Sequence, residues 1–145
     1  MELPSIKDRS RPIFLLLCAV LGLAGVLCFK MYTNYNDQGS RFGGEDGGSS
    51  IQALSDDPDW ITSYAATTTS GSQLCLMLIN KDPEKLANAE IVLNGFQYQS
   101  EVGLYRYGND HLQGITQENV SAQLGNLRLT LPVYSMTLLI LSRSG

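Results

Sequence analysis

Residues 126–142 read "NLRLTLPVYSMTLLILS", and the way they alternate decides the class of fold. In 126–131, Leu127, Leu129 and Leu131 fall on one side of an extended chain, with Asn126, Arg128 and Thr130 on the other. That is a strand with one wet face. Beyond a lone Pro132, residues 134–142 are apolar on both sides, since Met136, Leu138 and Ile140 alternate with Thr137, Leu139 and Leu141. Residues 73–79 repeat this, with Leu74, Leu76 and Leu78 on one side and Cys75, Met77 and Ile79 on the other. A strand that is apolar on both faces lies centrally in a sheet and needs a cover on each face.

Working outward, short runs of this kind recur between turn signals. Strands are expected at 51–55, 60–67, 73–79, 88–94, 101–107, 113–117, 126–131 and 134–142. "SDDPD", "TTSGS", "NKDPEK", "NGF", "GNDH" and "LGN" lie between them. Breaks at such short intervals, without a long helical period, predict an all-β fold: an antiparallel β-sandwich of about eight short strands.

The N-terminal part has a different character. From Ile13 to Phe29 seventeen residues carry no charge. With Met31 and Tyr32 added, and Lys30 able to snorkel, the run approaches the roughly 20 residues of a spanning helix. The expected organisation is a cytoplasmic tail at 1–12, a transmembrane anchor or signal segment at 13–32, a Gly-rich linker at 33–50 and the sandwich at 51–145. Lys7, Arg9 and Arg11 ahead of the run favour an exported C-terminal part. Secretion after signal cleavage is the rival reading, although "AGVLCFKMY" has no A-x-A pattern.

The chain carries 10 basic and 14 acidic residues, a formal charge of −4. It has no basic patch, so nucleic-acid binding has no electrostatic footprint. Of its three cysteines only Cys75 lies beyond the apolar run, so no disulfide within the sandwich is expected. Asn119-Val120-Ser121 forms a glycosylation sequon.

Motifs for chemistry are absent. Asp56, Asp57 and Asp59 surround Pro58 and read as a solvated turn; Glu45 and Asp46 sit among glycines. His111 stands alone in "YGNDHLQG", with no G-x-S-x-G elbow to partner it. Cys75 reads as a small buried hydrophobe. No catalytic residue, metal site or cofactor is expected. The aromatic residues are the remaining candidates: Trp60, Tyr64, Tyr98, Tyr105 and Tyr107 form a potential platform on which sugar rings stack, and equally fit as core residues.

Three stretches resemble glycoside hydrolase family 44, the endoglucanase and xyloglucanase family. "FKMYTNYNDQGSRFGG" at 29–44 resembles its F-x-M-Y-R-N-Y-D-G-x-G-x-x-F-G segment. "SYAATTTSGSQLCLMLINKDPE" at 63–84 resembles a strand pair ending in I-N-K, and "LRLTLPVYSMTLLIL" at 127–141 its closing L-T-x-P-x-Y-S-x-T-L-L pattern. The resemblance implies the C-terminal β-sandwich of such an enzyme, without the barrel that carries both catalytic glutamates. It implies a structural or packing role, with β-glucan binding, or partnership with a separate catalytic barrel chain, as alternatives. Thr33, Asn36 and Asp37 depart from the motif's Arg, Asp and Gly. A sandwich deprived of its barrel is expected to leave an apolar patch exposed.

Overall fold

The computed structural model describes residues 25–45, 48–110, 112–122, 125 and 127–145. Among the described residues eight strands form two antiparallel sheets. The larger sheet has the order β1-β2-β3-β8-β5-β6, and β4 pairs with β7 in the smaller. The bounds are β1 Ser49–Ile51, β2 Ile61–Thr67, β3 Gln73–Asn80, β4 Ala87–Ile91, β5 Tyr98–Gly108, β6 Thr116–Ser121, β7 Leu127–Leu131 and β8 Ser135–Arg143. Two of the expected strands are displaced. The first lies at 49–51 instead of 51–55, and the sixth at 116–121 instead of 113–117. In the sixth, Thr116 to Ser121 carry few apolar side chains, and pairing with β5 decides the strand, not its own pattern.

The two doubly apolar strands, β3 and β8, lie side by side at the centre of the larger sheet. Their register aligns side chains in rows across the sheet. Ala65, Leu76, Leu139 and Leu104 form one row, and Tyr64, Met77, Leu138 and Tyr105 the next. Because neighbouring residues face opposite sides, the first row points inward and the second outward. The inner row packs with Leu127 and Leu131 of β7 to make the core of the sandwich. The polar positions of the small sheet face outward, where Arg128 meets Glu90 at 3.0 Å and Thr130 donates to Asn88 at 2.9 Å.

The outer row is covered too, and by the chain itself. Residues 25–33 form a helix, α1, whose Leu27 and Met31 share a second core with Cys75, Met77, Tyr105, Tyr107, Met136 and Leu138. Tyr35 belongs to the same cluster, and Tyr32 and Phe42 pack on it. Met31, Met77 and Leu138 are fully buried. The centre of this face, where an exposed apolar patch is expected, is covered by the segment ahead of the sandwich, while Val26, Phe29 and Tyr64 at its outside and edge stay exposed.

Residues 1–24, including 13–24 of the expected anchor, lie outside the described residues. Among the described residues no helix is long and apolar enough to cross a membrane. The described end of the expected anchor is helical and docks Leu27 and Met31 on the sheet.

Candidate functional site

The outer face and its cover are the place where the first resembling stretch, 29–44, meets the other two. Leu27, Met31 and Tyr35 recur every fourth residue, which stacks side chains on one side of a helix. The helix ends at Thr33, and the chain then turns sharply back. Asn36 builds this turn: its Oδ1 accepts from the N–H groups of Gln38 (3.0 Å) and Ser40 (3.2 Å), and its Nδ2 donates to the Ser40 hydroxyl (2.9 Å). Asn34 Oδ1 accepts from Gly39 N–H at 2.7 Å. Phe42 N–H returns to the Tyr32 carbonyl at 2.9 Å, which closes the loop.

The departures from the motif are legible here. Asn at 36 keeps the acceptor oxygen that an Asp would offer. Asp37 has φ 60, a left-handed conformation that glycine adopts without cost. Its carboxylate pairs with Lys30. Gly48 is held more rigidly: at φ 46 an added Cβ would lie 2.2 Å from the Thr67 carbonyl and 2.3 Å from that of Gly43. Buried Tyr35 and Gly43, half-buried Phe42 and the start of β1 at Ser49 make much of the expected linker a packed part of the domain.

The rings on this face are packed too. Tyr35 meets Tyr105 edge-on at 4.7 Å between centroids, and Tyr32 meets Phe42 at 5.4 Å. Burial pushes the Tyr35 phenol up to about 12, with smaller contributions in the same direction from Cys75 and Tyr105. Burial likewise raises Tyr32, Tyr105 and Tyr107. The Cys75 thiol is raised by burial, partly offset by a hydrogen bond with the Gly43 backbone. A buried thiol with a raised pKa is a poor nucleophile, so Cys75 behaves as a small hydrophobe in this core.

The five expected sugar-stacking rings are not brought together. Tyr98 is buried in the inner core, and Tyr105 and Tyr107 are buried in the outer one, where none offers a free face. Trp60 and Tyr64 are about half exposed. Tyr64 ends the outer row of β2, beside Met77, and Trp60 stands just before that strand with its carbonyl accepting from Lys81 N–H. Asp56, Asp57 and Asp59 are exposed in their turn, where the Asp57 carbonyl accepts from the N–H groups of Trp60 and Ile61. Glu45 is exposed; Asp46 and His111 lie outside the described residues. Among the described residues no group of three or more His, Cys, Asp or Glu is placed to hold a metal ion.

One polar cluster escaped the sequence reading. Asn80, the N of "INK", is buried at the end of β3. Its Nδ2 donates to the carbonyls of Pro132 (2.9 Å), Lys85 (3.0 Å) and Leu131 (3.3 Å), while its Oδ1 accepts from Asp82 N–H at 3.0 Å. Ser135 Oγ donates to the Pro132 carbonyl at 2.7 Å, and Tyr134, at φ 43, donates its N–H to the Asp82 carbonyl. The second and third resembling stretches are thus tied together by one side chain that satisfies the crossover from β7 to β8. The signal was a buried-type position occupied by Asn at a strand end; Asp82 and Lys85 are local, but Leu131 and Pro132 lie 51 and 52 residues away, beyond the reach of local pattern.

No protein-family model matches the sequence, and no curated protein matches it. Solved structures do. The chain is 34% identical to CelM2, a bifunctional glucanase-xylanase from a metagenome library, with a TM-score of 0.70 over 79% of this chain and 21% of that one. It is similar to a Paenibacillus polymyxa xyloglucanase from glycoside hydrolase family 44 (22% identity, TM-score 0.70, 79% of this chain and 22% of that one). A family 44 endoglucanase from Clostridium thermocellum aligns at 20% identity, with a TM-score of 0.67 over 78% of this chain and 22% of that one. The chain therefore spans about a fifth of the length of the structures it matches.

Proposed function

We propose, from the resemblance of this chain to the β-sandwich region of family 44 glycoside hydrolases, that it is a non-catalytic accessory domain. Its role is packing, inherited from a β-glucan hydrolase. Its tether to a membrane is the apolar run of 13–32, of which Leu27 and Met31 are taken up by the sheet, and the sandwich is exported beyond it. The observation that carries this reading is the cover of the outer face. Leu27, Met31 and Tyr35 seal an apolar surface of the larger sheet, so the domain completes its packing with its own leading segment.

Catalysis by this chain alone has no support in the site. Retaining glycoside hydrolysis needs two carboxyl groups about 5–5.5 Å apart flanking the scissile bond. The Asp56–Asp59 cluster sits exposed in a turn, and Asp82 Oδ1 is used by the N–H groups of Glu84 and Lys85. Purified full-length chain incubated with xyloglucan and soluble cellulose derivatives is expected to release no reducing ends; hydrolysis above a buffer control overturns the reading.

A second reading is favoured by one observation: Trp60 and Tyr64 remain half exposed near one another in sequence on the β2 side of the larger sheet. They would stack a β-glucan as a binding module, or support a separate barrel chain. Affinity electrophoresis through xyloglucan distinguishes this. Retardation that Trp60→Ala abolishes would favour the binding module, and migration equal to that in a glycan-free gel sinks it.

A further inference from the structure

Trp60, Lys81 and Tyr134 stand one residue beyond the ends of three neighbouring strands. Ile61 opens β2, Asn80 closes β3 and Ser135 opens β8, and these three share one row of the larger sheet. The Lys81 N–H donates to the Trp60 carbonyl at 2.8 Å, and the Tyr134 N–H to the Asp82 carbonyl at 3.0 Å, so backbone pairing carries on past that row. The backbones of Trp60 and Tyr134 are therefore two strand spacings apart, about 10 Å. Both side chains are about half exposed, at 49% and 58%. Between them, the Lys81 ammonium donates to the Pro58 carbonyl at 2.9 Å and carries two further donors. That bond also pins the turn that leads into Trp60.

Tyr134 adds an observation of a different kind. Among the described residues, it and Asp37 are the non-glycine residues in the left-handed region. Aspartate tolerates that conformation, whereas a bulky ring is a true outlier there. Such strain persists only where the surroundings over-determine it, and it gathers at ligand clamps. Here Asn80 and Ser135 both donate to the Pro132 carbonyl, at 2.9 and 2.7 Å, and fix the crossover. The Tyr134 ring belongs to neither core. Burial therefore does not offset the strain, and packing alone would be served as well by glycine.

We infer that Trp60 and Tyr134 form a two-ring platform for a β-glucan chain, with Lys81 donating to sugar hydroxyls between them. The inference rests on the binding-module reading above and moves its second ring from Tyr64 to Tyr134. In an extended chain of the cellulose type every second pyranose presents the same face. Two aromatic rings in one row can then stack on alternate sugars, while the sugar between them lies over Lys81. Asp57 and Asp59, exposed on either side of Pro58, balance the charge of Lys81, which suits a neutral sugar and not an anion. Tyr64 fits less well: it lies four residues along the chain from Trp60, about 13 Å, and outside the row that Lys81 joins.

The test is titration of the full chain with cellohexaose, read by calorimetry and by the emission of Trp60, the only tryptophan. Trp60→Ala and Tyr134→Gly should each weaken binding about ten-fold, and Tyr64→Ala by less than about two-fold. Because glycine relieves the left-handed backbone, Tyr134→Gly should melt no lower than the parent chain. A lower melting temperature shows that the ring packs structurally, and overturns the inference. Undiminished binding by Tyr134→Gly, or a loss on Tyr64→Ala as large as on Trp60→Ala, also overturns it and leaves the binding-module reading standing. A parent chain that does not bind cellohexaose overturns both.

Discussion

The two faces of the larger sheet present the same kind of surface to two different covers. On the inner face, Leu76, Leu139 and Leu104 meet β7, a strand that alternates and belongs to the sandwich by pattern. On the outer face, Met77, Leu138 and Tyr105 meet a helix and a glycine-rich loop drawn from a segment that reads as something else. The lesson is that a doubly apolar strand states a demand for two covers without saying where the second comes from. Here it comes from immediately upstream in the same chain.

The comparison can be broken by truncating neighbours that point to opposite sides. Leu138 and Leu139 are adjacent in β8, both essentially buried. If each face is a true core, Leu138→Ala and Leu139→Ala should cost about the same, ~2–5 kcal/mol each by denaturant unfolding. An outer face merely brushed by a loose segment would show a much smaller loss at Leu138.

The cover itself is probed next. Met31 comes from α1, not from a strand, and is fully buried against Met77, Tyr105 and Leu138 of the sheet. Met31→Ala should destabilise by roughly 2–4 kcal/mol, read in the same titrations. A cost near zero would mean that the sandwich keeps its stability without α1. Asn80→Ala falls slightly below this, because it removes one buried amide but leaves the carbonyls of Leu131 and Pro132 short of a donor. The expected loss is about 1–3 kcal/mol, and it acts on the inner side of the comparison.

The smallest effect separates the faces by pH. Tyr35, Tyr32, Tyr105 and Tyr107 are all held above the ordinary phenol value, chiefly by burial on the outer face. A raised folded value means that the protonated phenol is favoured in the folded state. Its contribution is complete below about pH 10, the unfolded value, and is lost as pH rises toward about 12 for Tyr35. Between those limits the outer face should loosen before the inner one. Tyrosinate absorbance rising while far-ultraviolet dichroism stays constant would record it; a simultaneous change in both would show a single cooperative collapse.

How far the sequence carried this account follows from physics. The strands were legible because period-two alternation is local, as Leu127, Leu129 and Leu131 illustrate. The central place of β3 and β8 was legible from their double apolarity. The cover was not. Leu27, Met31 and Tyr35 repeat at helical spacing, but the first two fall within or against a run that is apolar at every position, which hides a one-sided pattern. The glycines of 39–48 read as linker because flexibility and tight turning use the same residue; only the close approach at Gly48 distinguishes them. Aromatic content could not separate a sugar platform from a core, and three of the five rings went to the cores.

The central claim is that the chain's own leading segment closes the outer face. The edge-on meeting of Tyr35 with Tyr105, at 4.7 Å between ring centroids, is its sharpest geometric consequence. Nuclear Overhauser spectra of the full chain with labelled tyrosines should show ring-to-ring cross-peaks between these two residues. Their absence, in a sample whose β5–β8 backbone contacts are present, would contradict the account.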